Sequence, residues 1–204
     1  MILRKTISCK DLPCQDINNE GHFVPNIEVD FDKIKIMMIA EVLPNDPSDY
    51  FYSKGKPVFM ETTIQAFRDS GLNVNSIEEI LEFGFYLTTA VKCAKIGYSV
   101  PTQAIKNCSF LLEKELDIFP NIKVIMLMGD VAIRALNYIV KRRKEERVIP
   151  AGSTYKIRES EFFWGNIRVF PSYLMTGKNY LIEKSKRRMI AEDINKAIKY
   201  IKAN

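Results

Sequence analysis

At 204 residues, 47% of them hydrophobic and with only 9 Gly and 9 Pro, the chain suffices for one compact domain and is too apolar for a disordered one. No apolar run approaches the roughly 18 residues that span a bilayer, and charges break up the opening MILRKTISCK where a secretory leader needs its apolar stretch, so a soluble cytoplasmic protein with no membrane partner is expected. Thirty Lys and Arg against 25 Asp and Glu give a formal charge of +5, which permits an anionic partner without requiring one.

Met1 to Asp30 reads as an irregular arm, and residues 31–204 as the folded domain, expected to be monomeric. Lys33 to Ala40 begins as an alternating pattern and ends as a solid apolar run, predicting the first strand of a covered sheet. The following Glu41 to Asp49 contains Pro44 and Pro47 among Asx and Ser residues, which predicts a loop at that strand's carboxyl end. Glu61 to Ser70 reads as a helix stopped by Gly71, and Ser76-Ile77-Glu78-Glu79 has the spacing of a capping box that opens a short helix. Gly84 to Val91 is the second strand. Thr102 is placed to cap a helix carrying Ile105, Cys108, Leu111 and Leu112. Lys123 to Met128 is the third strand, turning at Gly129-Asp130 into a helix with Val131, Ala135, Leu136 and Ile139 on one face. Arg168 to Phe170 is the fourth strand, and the last helix carries Ile190, Ile194, Ala197 and Ile201.

Strands alternating with helices predict an α/β fold, a three-layer α/β/α arrangement around a mainly parallel four-stranded sheet. Ligands of such sheets bind beyond the strand carboxyl ends, which directs attention to the segments after Ala40, Val91, Met128 and Phe170. Basic runs at Lys141, Arg142, Arg143 and Lys144 and at Lys184, Lys186, Arg187 and Arg188 suggest one basic face, with solvated helix ends as the plain alternative. Cys9 and Cys14 form a C-x4-C pair in the arm, and Cys93 and Cys108 flank the loop after the second strand. In a reducing compartment these read as buried thiols, a zinc site or an iron-sulfur cluster, and spacing does not choose among them.

Taken in order, several segments resemble the uracil-DNA glycosylase superfamily, in particular its iron-sulfur bacterial and archaeal branch. Ala40-Glu41-Val42-Leu43-Pro44 is similar to that branch's Gly-Glu-Ala-Pro motif, and Gly55-Lys56-Pro57 to its Gly-Arg-Pro. Tyr86-Leu87-Thr88-Thr89-Ala90-Val91-Lys92-Cys93 resembles Tyr-hydrophobic-Thr-Asn-x-Val-Lys-Cys. Leu127 to Ala132 resembles the Leu-Gly-x-x-Ala turn, and Phe170-Pro171-Ser172-Tyr173-Leu174 the His-Pro-Ala/Ser-Tyr-Leu motif before the DNA-penetrating loop.

The resemblance implies a protein that flips an altered base out of DNA and breaks its N-glycosidic bond. It implies Glu41 as the catalytic carboxylate, a base pocket that takes in Val42, Thr89 and Phe170, and a [4Fe-4S] cluster on Cys9, Cys14, Cys93 and Cys108, with zinc as the alternative metal. Phe59, from the aromatic group Tyr50, Phe51, Tyr52 and Phe59, is added to the pocket as a ring able to enclose a flat base. Ser172, Tyr173, Leu174 and Met175 stand at the inserting loop, Leu174 or Met175 as the wedge, with Lys92, Lys178, Lys186 and Arg187 as phosphate contacts. Two positions depart from the family pattern. Thr89 replaces an Asn whose carboxamide matches both a donor and an acceptor on a base edge, and Phe170 replaces a His that donates to the departing base. Either a different base, weak uracil excision through Glu41, or DNA binding without chemistry follows from these losses.

Overall fold

A computed structural model describes residues 17–18, 27–95 and 97–204. The element order is β1 (Ile17–Asn18), β2 (Ile36–Leu43), α1 (Val58–Asp69), α2 (Ile77–Glu82), β3 (Phe85–Lys95), α3 (Thr102–Ile118), β4 (Val124–Met128), α4 (Asp130–Arg142), α5 (Thr154–Ile157), β5 (Phe162–Trp164), β6 (Ile167–Ser172), α6 (Asn179–Ile182) and α7 (Lys184–Ala203).

The four expected strands form the parallel centre, in the order β3-β2-β4-β6. The sheet itself is wider than four strands. Antiparallel β5 covers the outer edge of β6, and the two-residue β1 adds to the other edge through Ile17 opposite Lys95 and Asn18 opposite Ala94. The pairing of Trp164 with Ile167 makes Gly165-Asn166 a two-residue hairpin loop, and Gly165 supplies its positive φ of 56°. Only three residues long, β5 was too short to show a period in the sequence.

Helices cover both faces. Alternation along β2 sends Met37 and Ile39 into one core with α3 and α4, and Ile36, Met38 and Ala40 into the other with α1, α2 and α7. Val29 is buried in the first core, and Ile27 and Phe31 pack against it.

Local chemistry sets the helix ends. Ser76 accepts from the Glu79 amide at 3.3 Å, as the capping-box spacing predicts, while Glu79 reaches back to the amide of Asn75 at 2.8 Å. Thr102 does not cap α3. The cap position is Pro101, and the Thr102 hydroxyl accepts from Arg134 at 2.7 Å. Among the described residues no helix is long and apolar enough to cross a membrane.

Candidate active site at the strand carboxyl ends

After β2 the chain leaves toward α1 on one face of the sheet, and after the adjacent β4 it leaves toward α4 on the other. Neighbouring strands whose connections diverge in this way open a crevice at their carboxyl ends. A cavity of about 470 Å³ lies there, within the range of a small-molecule site. Glu41, Val42, Asp46, Asp49, Phe59, Lys95, Leu174 and Lys178 are on its wall.

Glu41 follows Ala40 on β2, so it projects to the α4 side, where its Oε1 accepts from the Val131 amide at 3.3 Å. The first turn of α4 has free amides and a partial positive charge, which favour a carboxylate there. Burial works in the opposite direction and dominates, raising the Glu41 pKa; the Val131 hydrogen bond only offsets part of the rise, and the nearby Asp130 charge adds to it. Gly129 makes this approach possible. At φ 107° a side chain is strained, and a Cβ at this position would lie 2.8 Å from the Glu41 carboxyl carbon.

Asp46 and Asp49 are engaged differently. Asp46 caps a turn at Pro47–Asp49, accepting from the Ser48 amide at 2.9 Å and hydroxyl at 2.7 Å, and these bonds hold its carboxyl below the usual range. Asp49 accepts from the first amide of α1, Val58, at 3.3 Å. Burial makes Glu41 hard to ionise and therefore reactive toward a proton.

The structure brings Glu41, Val42, Phe59, Leu174 and Lys178 together and places other expected residues elsewhere. Thr89 is fully buried and pairs in register with Ala40, so it points into the core opposite to the Glu41 side. Phe170 is buried two residues before the end of β6, with the Arg168 guanidinium 4.4 Å from its ring centroid. Neither lines the cavity. Strand alternation accounts for Thr89, and the extension of β6 to Ser172 accounts for Phe170.

Lys92 is fully buried and forms an ion pair with Glu115, also donating to the Thr88 hydroxyl at 2.5 Å, so it faces no phosphate. Ser172 donates to Asp193 at 2.6 Å inside the protein, and Met175 is buried, which leaves Leu174 as the exposed apolar residue of that pair. Tyr173 is half-buried under Lys186, whose ammonium pairs with Glu183, and Arg187 is held by Asp69 at 2.7 Å. Lys178 stands exposed.

The two basic runs do not form one face. Arg142 and Arg143 lie at the end of α4, away from the strand tips where it begins, and are paired with Glu113 and Asp117. A larger hollow of about 570 Å³ lies beside α4, but Arg134, Asn137 and Arg147 on its wall are bonded to Thr102 and the Ile149 backbone.

Sequence reasoning missed Lys95 and Thr176 on the cavity wall. Lys95 lies beyond the expected end of the second strand, which in fact runs four residues past Val91. Of the four cysteines, Cys93 on β3 and Cys108 on α3 are buried in one core. Cys9 and Cys14 lie outside the described residues, among which no group of three or more His, Cys, Asp or Glu side chains is arranged for a metal.

A type-5 uracil-DNA glycosylase of Thermus thermophilus is 25% identical to this chain over 120 residues, covering 59% of the chain and 52% of the relative. The chain thus spans about half the length of that relative. The family model described as the uracil DNA glycosylase superfamily matches residues 33–198, from three residues before β2 into α7 and across every strand of the parallel centre. With that match over most of its length, the chain belongs to the uracil DNA glycosylase superfamily.

Proposed function

We propose that the chain is a DNA glycosylase that receives a flipped uracil or other altered base in the cavity at the strand tips and hydrolyses its N-glycosidic bond. The observation that carries this reading is a half-buried carboxylate, Glu41, held on the cavity wall at the start of α4. In the reaction the bond between sugar and base breaks with its electron pair leaving on the base, while water adds to the sugar carbon and loses a proton. Glu41 accepts that proton and its charge stabilises the developing sugar cation. Phe59 and Val42 offer apolar contact to a flat base. Lys95 and Lys178 supply positive charge at the mouth for phosphate or for the departing base anion. Leu174 is the exposed wedge for the gap left in the stack.

A second reading, a DNA-binding module without chemistry, is favoured by one observation: Thr89 and Phe170 lie off the cavity wall, so neither donates to a departing base. Incubation with oligonucleotides carrying uracil, hypoxanthine, xanthine or oxidised bases, followed by alkaline cleavage at abasic sites, separates the two. Base release from at least one substrate is expected; salt-sensitive binding without any release establishes the module instead.

We also propose that residues 1–30 form an arm fastened to the domain over 31–204 by a [4Fe-4S] cluster on Cys9, Cys14, Cys93 and Cys108, with zinc as the alternative. Two buried thiols in one core fit such a site, and Ile17, three residues after Cys14, pairs with Lys95, two residues after Cys93. The role of the metal is structural: four thiolate bonds remove the entropy of a long connecting loop. Purified protein is expected to be brown and to contain iron and acid-labile sulfide. Colourless protein with stoichiometric zinc contradicts the cluster.

A further inference from the structure

Among the described residues, eight large hydrophobic side chains stand exposed. Phe110 and Phe163 lie under the guanidinium groups of Arg142 and Arg168, at 3.9 and 5.2 Å, and Phe83 borders a hollow at the amino ends of the strands. The remaining five follow the carboxyl-end rim of the sheet. Tyr98 lies in the loop after β3, Tyr155 next to Thr154 in a groove beside Gly129, Leu174 on the cavity wall, and Leu181 and Ile182 in α6.

Tyr98 is the most exposed of all, at 98%. Its position is nevertheless held from within the loop. The Lys95 ammonium donates to the Tyr98 carbonyl at 2.8 Å and lies 5.7 Å from the centroid of its ring. The same Lys95 is on the wall of the cavity. One lysine therefore joins the pocket to an open aromatic face. An ammonium has three donors, and the Tyr98 carbonyl takes one, so two remain for an anion. An aromatic face beside a cation is the combination that binds single-stranded nucleic acid, because every base has a π-face and every nucleotide a phosphate.

We propose that Tyr98 and Lys95 form a subsite for the nucleotide adjacent to the one in the cavity. The Tyr98 ring stacks on the neighbouring base, and Lys95 binds the phosphate that joins the two nucleotides. The identity of the cavity's occupant rests on the glycosylase reading given above. Stacking on a protein ring requires a base whose face is not covered by its duplex neighbours. The subsite therefore favours single-stranded DNA over duplex.

The test is equilibrium binding at low salt of the full-length protein to a fluorescein-labelled single-stranded thymidine oligonucleotide and to a duplex of the same length, read by fluorescence anisotropy. Tyr98→Ala is expected to weaken single-strand binding about ten-fold and to leave duplex binding unchanged, while Tyr98→Trp keeps wild-type affinity. Lys95→Gln is expected to lower the slope of log K against log salt on the single strand by about 0.7, the loss of one phosphate contact. A wild-type protein that does not bind the single strand, or a Tyr98→Ala protein that binds it as tightly as wild type, overturns the subsite. Single-strand binding that depends on Tyr98 in a protein that releases no base upholds the subsite and sinks only the glycosylase reading. Exposure makes Tyr98→Ala neutral to folding, which an unchanged thermal melt verifies.

Discussion

The geometry around Glu41 depends on the absence of one carbon atom. Gly129 has a φ of 107°, opens α4, and leaves no room for a side chain next to the Glu41 carboxyl group. Gly129→Ala is expected to destabilise the fold by about 1–3 kcal/mol in chemical denaturation, from backbone strain alone, and to displace the carboxylate enough to suppress base release. A variant with wild-type stability and rate contradicts this tight packing. The glycine was legible in the sequence as a turn after an apolar strand, but its contact with a residue 88 positions earlier was not, because only the pairing of β2 with β4 brings them together. Thr89 illustrates the opposite failure. Its motif was correctly located on β3, yet the face a strand residue takes is set by register with its neighbours, and pairing with Ala40 turns it into the core.

At the scale of elements, β3 and α3 are joined by charges inside the protein. Lys92 and Glu115 are both fully buried, and Thr88 and Tyr86 complete the network by donating to Glu115 at 2.9 and 2.5 Å. Removing one partner leaves a buried charge unpaired. Lys92→Met is therefore expected to cost about 3–5 kcal/mol in urea denaturation, and the added Glu115→Leu change to recover much of it. The salt dependence of DNA binding by Lys92→Met should match wild type; a smaller slope shows instead that Lys92 reaches phosphate. The same pair ties together the strand of Cys93 and the helix of Cys108, so both thiols are positioned by the fold itself. Apolar runs made β2 and β4 readable, and the spacing of Ile190, Ile194 and Ala197 did the same for α7. The short elements, β1, β5, α5 and α6, are two to four residues each, and tertiary contacts rather than local pattern determine them.

For the whole molecule, the sheet topology creates the site. Connections that leave β2 and β4 toward opposite faces open the crevice, and Glu41 stands at its edge with the positive end of α4 before it. Burial raises the Glu41 pKa, so the folded protein binds this proton more tightly than the unfolded chain does. Stability is then lost as pH rises from the unfolded value through the folded one, and ionised Glu41 is a cost to the fold at neutral pH. Glu41→Gln keeps an acceptor for Val131 and removes that cost, so its thermal melt at neutral pH should match or exceed wild type. The most direct measurement is single-turnover base release by wild type and Glu41→Gln, on the substrate that wild type processes, across acid to neutral pH. The account predicts that the wild-type rate rises with pH through a midpoint above the ordinary carboxylate range, and that the stably folded Glu41→Gln protein is slower by about 100- to 10,000-fold without that limb. A Glu41→Gln protein that keeps the wild-type rate and pH profile contradicts it.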